Sequence, residues 1–121
     1  MAEQFDSSRP IYAQLVERLK AKILSGIYPP GGHLDSVRDL AAAAGVNPNT
    51  MQRALAELER TGLVYTQRTA GRFVTEDAAV VDSAKQELAH QQIGAFLHRM
   101  ERMGYDREQT AQLVRSWEED A

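Results

Sequence analysis

Cysteine is absent from this 121-residue chain. That excludes a disulfide framework, a thiolate zinc site and a thiol nucleophile. Long apolar runs are missing too, and none approaches the roughly 18–20 residues of a membrane span. The opening MAEQFDSSRP has neither the basic nor the apolar region of a signal peptide. A cytoplasmic location, away from any membrane, is therefore expected. There is no phosphate-binding Gly loop, no nucleophile–His arrangement and no carboxylate cluster tied to a His. No catalytic residue, and no enzyme, is expected. His90 and His98 stand eight apart without the closer partners a metal site wants, so neither metal nor other cofactor is expected.

What is present suffices for a folded domain. Hydrophobic residues make up 43% of the chain, and its length fits one domain or a small domain with an appendage. The net charge of −3 divides unevenly. Residues 1–8 carry −2, residues 9–74 carry nine Lys/Arg against five Asp/Glu (+4), and residues 75–121 carry five against ten (−5). A basic central stretch beside an acidic tail points to a polyanionic partner for the former.

Helical spacing of Ile11, Leu15, Leu19, Ile23 and Leu24 predicts a helix over residues 10–25, with Pro10 in its first turn and Gly26 past its end. Tyr28-Pro-Pro-Gly-Gly32 is a turn signal. A second helix over Ser36–Ala44, capped by Asp35 or Ser36, turns Val37, Leu40, Ala41 and Ala44 inward. Gly45 breaks it. Asn47-Pro48 then supplies a cap and a first-turn Pro for a third helix to about Thr61, whose core face is Met51, Ala54, Leu55 and Leu58. Leu63–Gln67 and Arg72–Glu76 flank Arg68–Gly71 as a β-hairpin. Further on, a helix over about residues 79–103 closes at Gly104. Asp106 then opens a capping-box-like last helix of about 12 residues, with Thr110, Leu113, Val114 and Trp117 on one stripe.

Helix, tight turn, helix and hairpin is the order that pushes one helix into a DNA major groove and lays a hairpin beside it. On the third helix, Asn49, Thr50, Gln52 and Arg53 point away from the apolar face. Amides suit adenine, Arg suits guanine, and Thr serves either. Arg38 is placed to reach the backbone or a base at the groove edge. Arg68 and Arg72 flank a hairpin tip of the kind that enters a minor groove. Taken singly, each has a plain structural reading: Asn47 only a cap, Thr50 and Gln52 ordinary exposed residues, the arginines solvated. The constellation as a whole favours DNA.

The runs PIYAQLVERLKAKILSGIYPPGGHL and SVRDLAAAAGVNPNTMQRALAELERTGLV, followed by a wing ending GRFV, resemble the winged helix–turn–helix of GntR-type bacterial repressors over residues 9–75. VNPNT with LAELERTGLV is especially similar to the small YtrA-like branch. The resemblance implies DNA contact at Arg38, Asn47, Asn49, Thr50, Gln52, Arg53 and the wing around Arg68, Thr69, Gly71 and Arg72. It adds a phosphate contact from Tyr12. Two departures stand out. Asp35 occupies a position where the family usually has Pro, and the wing reads RTAGR where a Gly-rich RGxGT is usual.

The implied fold is mainly α with a small β-hairpin: a winged helix–turn–helix domain over residues 9–76 and a two-helix dimerisation tail over residues 79–120. Two amphipathic helices need something to cover their apolar faces, and a second copy of the chain is the economical cover. Leu88, Phe96, Leu97, Met100, Leu113, Val114 and Trp117 are the expected dimerisation residues. Folding of the tail back onto its own winged domain is the alternative. Phe96, Met100, Met103, Tyr105 and Trp117 suit either interface packing or a small-molecule effector cavity at the dimer interface, with packing the simpler role. The expected function is a sequence-specific transcriptional regulator, a repressor on a palindromic operator. The alternative is a winged-helix module for protein–protein contact without sequence-specific DNA binding, which has no need of the polar Asn49/Thr50/Gln52 face.

Overall fold

A computed structural model describes residues 4–118. In chain order the elements are α1 (Ile11–Leu24), α2 (Val37–Ala44), α3 (Pro48–Arg60), β1 (Val64–Gln67), β2 (Gly71–Val74), α4 (Ala78–Arg102) and α5 (Arg107–Ser116). This is the mainly α architecture with one small hairpin that the sequence predicts. Residues 119 and 120 of the expected tail lie outside the described residues. The chain divides after Ala84 into two compact units.

In the first unit most of the expected apolar stripe turns inward, but Ile11 is exposed at the start of α1 and Leu24 and Val37 are only half-buried at helix ends. Leu15, Leu19 and Ile23 of α1, Leu40, Ala41 and Ala44 of α2, and Met51, Ala54, Leu55 and Leu58 of α3 are all buried in one core. Leu63, Val64 and Val74 close that core from the hairpin, and Val80, Val81 and Ala84 of α4 pack at its edge. Pro10 caps α1 instead of joining its first turn. It has no side chain to cap with, and Gln14 ties down the preceding segment. The Gln14 amide accepts the Asp6 N–H at 2.8 Å and donates to the Asp6 and Arg9 carbonyls at 2.6 and 3.0 Å. This satisfies a polar side chain that is only 5% exposed.

Of the two candidate caps for α2, Ser36 is the one used: its Oγ accepts the Asp39 N–H at 3.1 Å. Gly45 ends α2 in the left-handed conformation. Two residues later the Asn47 carboxamide accepts the Asn49 N–H at 2.7 Å, with Pro48 at the start of α3.

The hairpin pairs Val64 with Val74, Tyr65 with Phe73, Thr66 with Arg72 and Gln67 with Gly71. Its second strand is shorter and earlier than the Arg72–Glu76 expected from β-formers. The Thr75 N–H still bonds to the Leu63 carbonyl opposite it in register, and the chain then turns away, its hydroxyl accepting the Asp77 N–H just before α4. Sequence reading took residues 28–32 for a turn alone. The structure shows residues 31–34 running along the outer edge of β2, through Gly31 N–H to Val74 O, Val74 N–H to Gly32 O and Leu34 N–H to Arg72 O. The tight turn that leads into this segment needs Gly32, since a Cβ there would sit 2.8 Å from the Pro29 carbonyl oxygen.

In the second unit, Asp106 and Gln109 form the expected capping box of α5. Thr110 is buried and its hydroxyl donates to the Asp106 carbonyl at 2.8 Å. α5 spans 10 residues, short of the expected 12, and stops at Ser116, leaving Trp117 extended. A further turn would put Glu118 at the negative end of the helix dipole, which disfavours it.

Candidate nucleic-acid interface

Helix α3 rotates about 100° per residue, and its buried stripe of Met51, Ala54, Leu55 and Leu58 fixes what the other faces present. Asn49 lies opposite that stripe. Gln52 and Glu59, seven residues apart, share the flank toward the hairpin. Arg53 and Arg60, also seven apart, share the flank toward α1. Asn49, Gln52 and Arg53 are exposed, and Thr50 is half-buried beside them. Asn47 is exposed at the turn between α2 and α3, and Arg38 is exposed at the opposite, N-terminal end of α2. Asn49, Gln52 and Arg53 thus stand exposed in the first two turns of α3, at the N-terminal end where unpaired N–H groups and the dipole favour a phosphate.

Both flanks of α3 are held by side chains. On the hairpin side, Glu59 accepts the Thr66 hydroxyl at 2.7 Å and the Arg72 Nε–H at 2.6 Å. Thr66 and Arg72 are paired across the two strands, so one carboxylate anchors both strands to the recognition helix. Burial pushes the Glu59 carboxyl up, but the hydrogen bonds from Thr66 and Arg72 and the Arg72 charge outweigh it and hold the group below the ordinary glutamate range. Arg72 is therefore half-buried and paired, and does not stand free at the tip. The tip itself is Arg68, Thr69 and Ala70, all exposed.

Gly71 follows this three-residue loop with φ +99°, the left-handed residue that such a hairpin requires. A Cβ there would lie 2.9 Å from His33 Nε2. His33 Nε2 sits 2.9 Å from the Ala70 carbonyl oxygen, and its ring packs edge-on against Phe73, which stacks on Tyr65. His33, itself exposed, is thus a strap across the base of the wing.

On the α1 side, the Arg53 guanidinium lies over the Tyr12 ring, 4.0 Å from its centroid. Glu57 engages Arg60, which keeps the Glu57 carboxyl below its usual range. Among the described residues, Arg38, Arg53 and Arg68 have no carboxylate partner. Glu59 and His33 were not legible as site residues. Their partners lie 7 to 37 residues away in sequence, and no local pattern marks such contacts.

An exposed polar helix face braced between a wing and a first helix is the geometry of a DNA reader, and comparison decides the family. Residues 11–74 match the family described as bacterial regulatory proteins, gntR family. The chain belongs to the GntR family. It is 36% identical over 119 residues to the uncharacterized HTH-type transcriptional regulator YhcF of Bacillus subtilis (strain 168), spanning 98% of each protein. It is 46% identical over 72 residues to the HTH-type transcriptional repressor YtrA of the same organism, covering 60% of this chain and 55% of YtrA. Among solved structures, a GntR family transcriptional regulator from Listeria monocytogenes superposes with a TM-score of 0.85 at 39% identity, over 94% of this chain and all of the other. The DNA-binding domain of AraR in complex with operator ORR3 superposes with a TM-score of 0.53 at 28% identity, over 62% of this chain and 88% of that one. This GntR-family protein is a helix–turn–helix, DNA-binding transcriptional regulator, and its relatives are regulators, not enzymes.

Its second unit carries the residues expected to dimerise. Phe96, Met100, Leu113, Val114 and Trp117 line an apolar cavity of about 400 Å³. Ile93, Phe96, Leu97 and Val114 contribute to a second cavity, of about 420 Å³, shared with Thr110, Ala111, Arg107 and Arg115. Leu88 is half-buried. Among the described residues no three His, Asp or Glu side chains gather as a metal site, and no helix is long and apolar enough to cross a membrane.

Proposed function

We propose that this GntR-family chain is a repressor of the YtrA-like kind, acting in the cytoplasm as a homodimer on an inverted-repeat operator and occluding a promoter. Asn49, Thr50 and Gln52 read base edges in the major groove. Arg38 and the N-terminus of α3, begun by Asn47, grip the backbone, and Arg68, Thr69 and Gly71 form the wing tip that follows the minor groove. Arg72 holds the wing through Glu59. The observation that carries the DNA reading is the polar face of α3, left open while both its flanks are braced.

The dimer rests on a separate observation. In the second unit Ile93, Met103, Leu113, Val114 and Trp117 are exposed at 57, 64, 41, 57 and 70%. So much apolar surface along α4 and α5 calls for a partner, and in this reading the partner's side chains fill the apolar cavity. A two-fold dimer places half-sites about one helical turn apart, or a multiple of it.

Titration of the full-length protein onto genomic fragments across a salt series tests the reading. Specific affinity is expected to fall steeply with salt, because phosphate contacts release counterions. A complex indifferent to salt, or equal affinity for every fragment, contradicts it.

A further inference from the structure

We infer that Tyr12 is a positioning residue that acts through its ring: it holds the Arg53 guanidinium on the α1 flank of the recognition helix, where Arg53 grips a backbone phosphate. The inference rests on the DNA-binding reading and deepens it. Tyr12 stands in the first turn of α1, half-buried against the core, so the scaffold fixes the plane of its ring. The Arg53 guanidinium lies over that ring, 4.0 Å from the centroid, within the range of a cation–π contact. A ring on one face leaves the in-plane N–H donors of the guanidinium uncommitted. Arg53 has no carboxylate partner among the described residues, whereas its neighbour on the same flank, Arg60, is engaged by Glu57.

An exposed arginine otherwise samples many rotamers and loses that freedom on binding. Stacking removes much of this cost in the free protein, and a planar guanidinium suits the two oxygens of a phosphate. The direction also separates Arg53 from the readers. Gln52 projects from the hairpin flank and Asn49 from the exposed centre, while Arg53 leans over α1, toward the edge of a groove that α3 would fill. Its contribution is thus to affinity at every sequence and not to the choice of base.

The test uses the full-length protein and two duplexes: one it selects from randomised DNA, and one of unrelated sequence. Tyr12→Leu is expected to weaken binding to both by roughly three- to thirty-fold, the span of a cation–π contact, while Tyr12→Phe binds like wild type. Arg53→Gln is expected to weaken both duplexes alike and lower the salt slope by about one. Tyr12→Leu added to Arg53→Gln is expected to do nothing further. Arg53→Lys, at an exposed position that leaves the fold alone, keeps the charge without the planar stack and is expected to lose affinity too.

Equal losses in Tyr12→Phe and Tyr12→Leu would assign the effect to the hydroxyl and overturn the inference. So would additive losses in the double variant, or a selected site altered at one base pair in Arg53→Gln. If wild type selects no sequence at all, the DNA-reading proposal fails and this inference falls with it. Selection by wild type with full affinity in Tyr12→Leu sinks the inference alone.

Discussion

Glu59 accepts hydrogen bonds from Thr66 at 2.7 Å and Arg72 at 2.6 Å, one from each strand of the wing. Replacing it by Ala removes both and leaves Arg72, whose side chain is 20% exposed, without its carboxylate. A neutral hydrogen bond is worth about 1 kcal/mol and one to a charged group about 1.5–3. Glu59 itself is 33% exposed, so solvent screening draws the charged part down toward surface values of about 0–1 kcal/mol. The net loss expected for Glu59→Ala is about 1–2 kcal/mol, a fall of roughly 5–10 °C in the midpoint of a domain this small.

Glu59→Gln keeps an acceptor for Thr66 and is expected to lose about half as much. The loss is local, so backbone amides of β1 and β2 should exchange faster while those of α1 hold. Acid should mimic the substitution. The folded state holds the Glu59 carboxyl below its ordinary value of about 4.3, so its contribution is complete above that pH and is lost as pH falls through the lower folded value. Thermal unfolding and hydrogen exchange read both effects. Unchanged melting and unchanged hairpin exchange in Glu59→Ala would refute the anchoring role.

Gly71→Ala forces a side chain into φ +99° and against His33 Nε2. It is expected to cost about 1–3 kcal/mol by urea unfolding, only partly relieved by adding His33→Ala. Asn47→Ala should cost about 1 kcal/mol through the lost cap. Asn47→Ser restores stability, and operator affinity that stays low in the Ser variant assigns Asn47 a DNA contact as well. Thr50→Ala is expected to lose discrimination at particular base pairs by about 1–3 kcal/mol, read from competition between matched and mismatched duplexes. Val114→Glu places a charge in the exposed apolar face of the second unit and should sediment as a monomer with weak operator affinity.

The elements that sequence revealed are those whose signals are local. Apolar spacing in α1 and α3, Asn47-Pro48 at the start of α3 and the Asp106/Gln109 box each act within one or two turns. The polar face of α3 followed directly, because fixing the buried stripe fixes its opposite. What stayed hidden was built from distant pairs. The edge formed by residues 31–34, the strap of His33 on Ala70 and the grip of Glu59 on Arg72 all join segments that only the fold brings together. Arg72 shows the consequence. Sequence alone cannot tell a tip arginine from one turned inward to a carboxylate 13 residues earlier. Trp117 shows another, since its helical stripe ends one residue too soon.

Selection of bound sequences from randomised duplex DNA, run in parallel with the wild-type chain and with Gln52→Ala, tests the central claim most directly. The wild type is expected to enrich an inverted repeat with half-sites about one helical turn apart or a multiple of it. Gln52→Ala should enrich the same repeat with its preference relaxed at one symmetric position in each half. No enriched sequence, or an identical pattern from both proteins, would contradict the assignment of the α3 face as the reader.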